Sequence, residues 1–522
     1  MTLENDAPSP KDAARSAVSP SLEEARRLAA DGECTLIPLS IEAFSDEHTP
    51  ITVLRKLQNV SDHVFLLESV EDAAEWSRYT FMGCDPSMEV TCNEGMLTVV
   101  RHADGSGLDS GNGPKTVETT PTDDPNAALR ALLARHKSAR LEGLPPFTGG
   151  LVGYFSYDYF AYSEPSLRLD APDEEGFKDI DLMLFDKVMA FDNLRQKIVL
   201  IANMRVDDPN GIEASYERAV RDLQAMRHLL MEGAPRPAHP GRLLSPFRPL
   251  FDQERFCKLV EDGKRFIYEG DVFQVVLSNR LDADFEGDLL DTYRVLRTTN
   301  PSPYMFYFYS DSIEMAGASP ETLVRLEDGV LHTFPLAGSR PRPIDRSEDD
   351  AVEADLLSDE KELAEHNMLV DLGRNDLGRI SQFGTVEVDD YLSVQKFSHI
   401  MHIGSSVRGR IRPDRDALDA VAAVLPAGTL SGAPKIRAAQ IINDLEQSKR
   451  GVYGGAVGYL DFTGNLDLCI AIRLVFKRNG KVFVRSGCGV VADSVPETEY
   501  VETLNKARAV VDALEASQGG LA

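Results

Sequence analysis

Residues 231–247, MEGAPRPAHPGRLLSPF, gather prolines and glycines directly behind an amphipathic helical pattern at 212–230. Proline fixes its own φ and donates no backbone hydrogen bond, so neither a helix interior nor a central strand runs through this stretch. It is the best boundary in the sequence, dividing residues 21–235 from residues 248–515. A chain of 522 residues exceeds the size at which single cores stop growing, so either several domains or one large layered domain is required. Before the boundary, β-rich segments such as HVFLLES (63–69), MLTVV (96–100) and KIVLIANM (197–204) alternate with turn-forming clusters. After it, strand and helix patterns mix, and no repeat of fixed period appears, so the class is α+β. Residues 1–20 carry too few large apolar groups to repay ordering and read as a disordered tail, and 104–114 reads as a surface loop.

Charge narrows the partners. With 84 acidic against 55 basic side chains the formal charge is -29, which argues against nucleic acid and against an anionic membrane surface. Such a chain binds a small anion only by concentrating arginine, lysine, backbone amides or a metal cation at one place. The six cysteines, Cys34, Cys84, Cys92, Cys257, Cys469 and Cys488, have no paired spacing, which fits a reducing cytosol. No run is apolar and long enough to span a bilayer and no signal pattern opens the sequence, so the expected location is the cytoplasm.

Several segments carry candidate chemistry. In DSVPETE (493–499), Ser494 and Glu497 have the spacing of a capping box, with Pro496 in the first turn of the last helix. Glu499, Glu502 and Lys506 then share one face, with Leu504, Val511 and Leu514 on an apolar one; read alone, the charged stripe is a solvated face. A second helix, 359–372, sets Glu362 and Glu365 one turn apart. Two carboxylate pairs on separate helices permit a magnesium site without requiring it. LPAGTLSGAPK (425–435) leads into a helix through Ser431 and Pro434, leaving amides and hydroxyls toward the helix start, though the spacing is not that of a Walker loop. In SGCGVV (486–491), glycines two apart let a ligand approach the backbone, a bulge being the alternative. Arg473, in the strand-like LCIAIRLVF, lies among apolar residues and needs a carboxylate, from the protein or from a ligand. His402 is a candidate general base, or a histidine that simply packs.

Together, and with LLES (66–69), GGLVGYFSYD (149–158), GDVFQVVLS (270–278), NPSPYMF (300–306), PLAGSRPR (335–342) and DLGRNDLGR (371–379), these segments resemble the chorismate-utilising enzymes, specifically the anthranilate synthase component I family. The resemblance implies a layered α/β/β/α sandwich in which an N-terminal regulatory portion is integrated with the catalytic portion. It implies Mg2+ held by Glu365 and Glu502, with Glu362 and Glu499 nearby and Lys506 assisting at the ring carboxylate of chorismate. The enolpyruvyl carboxylate would meet Arg473, Tyr453 and the backbone at Gly487 and Gly489, with Thr429 orienting the side chain and Gly338 and Ser339 also at the substrate.

The implied reaction adds ammonia to the ring of chorismate as its 4-hydroxyl leaves and then eliminates pyruvate to give anthranilate, the first committed step of tryptophan biosynthesis. Glu362, as a protonated acid among carboxylates, is assigned departure of the hydroxyl, and His402 removal of the ring proton. Water-using relatives have lysine where this chain has Gln274, which favours ammonia as nucleophile. Aminodeoxychorismate synthase, the nearest alternative, has lysine where this chain has Ala337. Serine at 339, where the family usually has threonine, bears on rate. The resemblance further implies feedback inhibition by L-tryptophan enclosed by Glu68, Ser69, Pro303, Tyr304 and Met305. No glutaminase domain is visible, so ammonia would come from a separate glutamine amidotransferase subunit; assembly into a heterotetramer is implied by the resemblance alone. A tryptophan-binding subunit without turnover is the reading from another class, and the set of Glu362, Glu365, His402, Arg473, Glu502 and Lys506 counts against it.

Overall fold

Alternating apolar and polar residues build two large antiparallel sheets, and each takes strands from both sides of the 231–247 stretch. In the computed structural model, residues 18–69, 78–102, 115–310, 313–343, 345–396 and 400–521 are described. The first sheet runs Leu36–Phe44, Lys197–Arg205, Lys187–Asp192, Tyr79–Cys84, Val64–Glu68, Tyr304–Tyr309, Glu314–Ser319, Leu474–Arg478, Lys481–Val490, Gln274–Glu286 and Arg242–Leu243. The second runs Leu336–Pro341, Ile400–Arg410, Val330–Thr333, Thr322–Glu327, Leu466–Ile470, Ala456–Asp461, Gly150–Phe155, Ile180–Phe185, Met88–Asn93, Met96–His102 and Lys115–Pro121.

The two portions separated in the sequence are therefore joined in both sheets, through Tyr304–Tyr309 against Val64–Glu68 and through Ala456–Asp461 against Gly150–Phe155. The proline-rich stretch separates sequence rather than structure, and its Arg242–Leu243 pairs with the end of Gln274–Glu286. The helix before it spans Ile212–Glu232 and buries Ser215, Ala219, Leu223, Met226 and Leu230, one stripe at helical spacing. It stops at Gly233, where the buried Lys56 ammonium donates to the Leu230 carbonyl at 2.6 Å.

Three layers of apolar contact stack the elements. Between the sheets lie Phe65, Phe81 and Phe185 from the first half and Phe306, Phe308, Phe476 and Phe483 from the second. Leu223, Tyr293, Leu296, Val510 and Leu514 press helices onto the outer face of the first sheet, and Leu129, Val370, Leu377 and Val421 do the same for the second. Each fully buried side chain of this size contributes about 2 kcal/mol, so a stack drawn from both halves commits them to one folding unit. The order is α/β/β/α, as the resemblance implied.

The chain changes sheets twice near one place. It leaves the first sheet between Ser319 and Thr322, and returns to it between Ile470 and Leu474. The two corners are stitched together: Ser319 Oγ donates to the Ile470 carbonyl at 2.6 Å, the Ile470 amide to Glu321 O at 2.9 Å, and the Ala318 amide to Arg473 O at 3.1 Å. Residues at such corners escape the strict in-and-out alternation of a strand, so polar side chains can be set between sheets.

Among the described residues no helix is long and apolar enough to cross a membrane. Of the tail expected at 1–20, residues 1–17 lie outside the described residues, but Ser19 exchanges backbone hydrogen bonds with Ser40 at 3.0 and 2.7 Å, so the fold begins before residue 20. The loop expected at 104–114 lies outside the described residues.

Candidate active site

Arg473 does not sit in a continuous strand, as its apolar surroundings suggested. The strands end at Ile470 and resume at Leu474, and Arg473 has φ 51°, a left-handed conformation that costs a non-glycine residue about 1 kcal/mol. The side chain is buried near enough to feel the charge of the Glu321 carboxyl on the adjoining corner. Thr429 Oγ1 donates to Glu321 Oε1 at 3.1 Å. Burial pushes the Glu321 carboxyl up to about 7, against the Thr429 hydrogen bond and the positive charges of Arg473 and Lys506. Burial also depresses the Arg473 guanidinium, which Glu321 partly offsets. Sequence reasoning missed Glu321. The signal was a carboxylate in GASPETLV, between a Ser-Pro turn and an apolar strand, the same argument that singled out Arg473. A small cleft opens beside Glu321 and Thr429, lined further by Leu369, Leu372 and Asp376.

The Thr429 segment departs from expectation. Gly428–Leu430 forms a single 3-10 turn, Gly432 and Ala433 pair with Val275 and Gln274, and the helix Lys435–Glu446 starts from Pro434 without a side-chain cap. Ser431 is not part of an open helix start, because its buried hydroxyl donates to the Ala427 carbonyl at 2.8 Å. Lys435 pairs with Asp376 at 2.7 Å.

No bulge interrupts SGCGVV; Lys481–Val490 pairs in unbroken register with Gln274–Glu286. The glycines instead make room for side chains. A Cβ on Gly487 would stand 2.9 Å from Tyr453 Oη and 2.7 Å from the Leu277 carbonyl, and one on Gly489 would stand 2.5 Å from Gln274 Nε2. The Tyr453 hydroxyl and the Gln274 amide thus lie over bare backbone. Lys506 Nζ donates to Gly487 O at 3.1 Å and pairs with Glu502 at 2.7 Å.

The last helix spans Pro496–Ala516, but the capping box does not form. Val495 is the N-cap, because the following proline holds it in an extended conformation and moves the helix start one residue on, and Ser494 Oγ instead accepts from the Val491 amide at 3.1 Å. The buried face of the helix is Glu499, Thr503, Ala507, Val510 and Leu514, so Glu499 belongs to it while Leu504 and Val511 are only partly covered. Glu499 Oε2 is buried without a hydrogen-bond partner among the described residues. Across the site, the helix Glu360–Gly378 carries Glu362 and Glu365. Burial raises the Glu365 carboxyl, with the negative charges of Glu362 and Glu502 adding to it and Lys361 and Lys506 opposing. Among the described residues no three His, Cys, Asp or Glu side chains stand at metal-holding distances. Magnesium needs only one or two carboxylates directly, and a crowd of carboxylates with one orphaned oxygen fits a hard dication.

His402 Nδ1 lies 3.1 Å from the Gly338 carbonyl, and burial holds its pKa below the ordinary value despite that contact. Gly338 has φ 68°, and a Cβ there would meet Glu362 Oε2 at 3.1 Å, so His402 and Glu362 converge on the same glycine. Ala337 pairs with Ile403 and Ser339 with His402 in the strand; the side chain of Ser339 lies outside the described residues.

The five residues expected at a regulatory site also come together. Glu68, Ser69, Pro303, Tyr304 and Met305 line a cleft between the sheets, with Arg325, Tyr459 and Asp467. Glu68 contributes backbone rather than charge to this cleft. Strand alternation puts its carboxylate on the opposite face, where Tyr293 Oη donates at 2.6 Å and Arg297 at 2.6 and 3.1 Å. Ser69 Oγ is buried with no partner among the described residues, and Tyr304 Oη donates to Asp467 at 2.7 Å.

Residues 77–512 match the model of the chorismate binding enzyme family. The chain thus belongs to that family. It is 42% identical over 503 residues to anthranilate synthase component 1 of Acetivibrio thermocellus, covering 95% of this chain and 98% of the relative. It is 45% identical over 504 residues to the protein of the same name from Pseudomonas aeruginosa, covering 94% and 98%. The crystal structure of anthranilate synthase component I from Streptococcus pneumoniae superposes with TM-score 0.68 at 36% identity, covering 83% of this chain and 92% of that one. The fold is shared with the menaquinone-specific isochorismate synthase MenF of Escherichia coli, TM-score 0.65 at 19% identity over 94% and 98%.

Proposed function

We propose that this chain converts chorismate and ammonia to anthranilate and pyruvate as the large subunit of an anthranilate synthase. The observation that carries the reading is that the Tyr453 hydroxyl and Lys506 meet the bare backbone of Gly487, while Lys506 and Arg473 both act electrostatically on the Glu321 carboxyl that takes the Thr429 hydrogen bond, so cations and donors gather at one place in a chain of formal charge -29. In this reading Arg473, the Tyr453 hydroxyl and the glycine backbone hold the enolpyruvyl carboxylate, and Lys506 steadies the ring carboxylate. Glu365 and Glu502 would hold Mg2+, with Glu362 and Glu499 close by; bound there, the ion supplies positive charge that anchors the ring carboxylate.

Glu321 has the stronger claim to the acid role given above to Glu362. A carboxyl raised to about 7 keeps its proton in the neutral range and can give it to the departing 4-hydroxyl. His402, kept neutral by burial, takes the ring proton during pyruvate loss. Gln274, over Gly489, offers an amide where a base would activate water, so ammonia attacks. That ammonia comes from a separate glutamine amidotransferase subunit. L-tryptophan occupies the cleft between the sheets, with Ser69 Oγ free to meet its polar end, and inhibits the enzyme.

The test is anthranilate fluorescence from the purified chain with chorismate, ammonium and magnesium. Anthranilate that requires Mg2+, forms from ammonium and not from glutamine, and declines with tryptophan supports the reading. Chorismate loss without pyruvate release points to an aminodeoxychorismate product, and no consumption overturns the proposal.

A further inference from the structure

Behind the anion-binding array lies a fully buried cluster of charge. Glu446, the last residue of the helix Lys435–Glu446, is 1% exposed, Arg450 2% and Arg485 3%. Glu446 Oε1 accepts from the Ser278 amide at 2.7 Å and the Ser278 hydroxyl at 2.9 Å, and Oε2 from Arg450 Nε at 3.0 Å and Arg485 Nη2 at 2.7 Å. Arg485 Nε donates to Ser278 Oγ at 2.8 Å and Nη1 to Lys449 O at 3.0 Å. Arg450 also donates from Nη2 to Glu446 Oε1 at 2.5 Å and reaches two backbone carbonyls, Leu430 at 2.6 Å and Val276 at 2.7 Å. Its guanidinium lies 4.6 Å from the ring centroid of Tyr157 and 5.9 Å from that of Tyr453.

Each anchor is one to three residues from a group at the array. Leu430 follows Thr429; Val276 lies two beyond Gln274; Arg485 lies two before Gly487; Tyr453 lies three beyond Arg450. One carboxylate faces two guanidiniums, so the cluster carries one positive charge in excess, out of water, behind the place where an anion binds. Two buried guanidiniums on one carboxylate are a costly way to hold a core together, since well-packed apolar residues do so at least as well. Two planar forks that fix three backbone carbonyls, around a carboxylate that holds a backbone amide, serve geometry instead.

We propose that Glu446, Arg450 and Arg485 are positioning residues for the carboxylate end of chorismate, setting Thr429 and Tyr453 against the Gly487 backbone and lending that end a buried positive charge. The inference rests on the functional reading above. Its test is steady-state kinetics and calorimetric chorismate binding for Arg450→Lys, Arg450→Met and Ser278→Ala, each with a thermal melt. Ser278→Ala removes only a hydroxyl and secures the test if the arginine variants do not fold. The expected result is a KM for chorismate raised about tenfold in Arg450→Lys and more in Arg450→Met, about threefold in Ser278→Ala, with kcat within threefold of the parent. Equal KM values in Arg450→Lys and Arg450→Met overturn the charge component. A lowered melting temperature with KM and chorismate Kd unchanged in Ser278→Ala and Arg450→Lys makes the cluster purely structural and overturns the proposal. If the unmodified chain binds chorismate without making anthranilate, the functional reading fails while the binding comparison still decides the role of the cluster.

Discussion

Glu321 and Arg473 occupy the two adjoining corners where the chain passes from one sheet to the other, and the Ile470 amide bonded to Glu321 O locks those corners together. The backbone points that carry this carboxyl and this guanidinium are therefore placed by sheet topology, and their separation cannot change without moving both sheets.

Glu321→Gln keeps the hydrogen bond from Thr429 and removes the proton. We expect kcat to fall about 100-fold or more, the usual contribution of a general acid. With the Glu321 carboxyl at about 7, the acid form is lost as pH rises through that value, so kcat/KM at fixed free ammonia declines on the alkaline side and the decline vanishes in the variant. The His402 limb lies below 6.5, because burial favours the neutral ring. The substitution acts on stability in the opposite sense to its effect on turnover. A carboxyl whose folded pKa exceeds its unfolded value of 4.5 favours the folded state at low pH and loses that contribution as pH rises through about 7, so Glu321→Gln melts higher than the parent at pH 8.

Arg473→Gly relieves a left-handed backbone and a buried cation together. We expect a gain in stability of about 1 kcal/mol by denaturant titration, with KM for chorismate raised about tenfold or more. Arg473→Ala keeps the strained φ and should show the loss of binding without the backbone gain. Equal stability in the two variants would show that the strain is absent.

Gly487→Ala and Gly489→Ala separate backbone from side-chain crowding. The first puts a methyl 2.7 Å from the Leu277 carbonyl, so the paired strands must shift, at about 2 kcal/mol. The second meets only the end of Gln274, which can swing away. Melts should therefore separate the two, while chorismate kinetics worsen in both.

Ser69→Ala tests the regulatory cleft. The hydroxyl has no partner to lose, so stability and uninhibited turnover should match the parent. Inhibition by tryptophan should weaken about fivefold, the worth of one hydrogen bond of about 1 kcal/mol. Glu68→Ala differs, because it strips Tyr293 and Arg297 of their acceptor, and should cost about 2 kcal/mol of stability.

What the sequence made legible follows from where its signals are local. The helix at 212–230 and the strands at 63–69 and 197–204 declare themselves by period, and the structure places them within a residue or two. Ser494 and Ser431 misled for a common reason. Each has the residue type of a helix start, but proline in the first turn or before it moved the cap, and a nearer backbone group took the hydroxyl. The boundary at 231–247 was real as chemistry and not as architecture, since strand pairing between Val64–Glu68 and Tyr304–Tyr309 leaves no local trace. Glu321 and Arg485 were missed because a buried charge is informative only once its partner is known, and those partners lie in distant segments, while Glu446 and Arg450, four residues apart, read as an ordinary solvated helix-end pair until their burial is seen.

The pairing of Val64–Glu68 with Tyr304–Tyr309 has a consequence during synthesis. At ribosomal rates of about 5–20 residues per second, roughly 10 to 50 s pass between the emergence of the first strand and that of its partner. Throughout that interval an apolar strand with unpaired amides and carbonyls waits on the nascent chain, open to the wrong neighbour. A single mRNA pause or a shortage of chaperone should therefore lower the yield of this protein far more than its folded stability would lead one to expect.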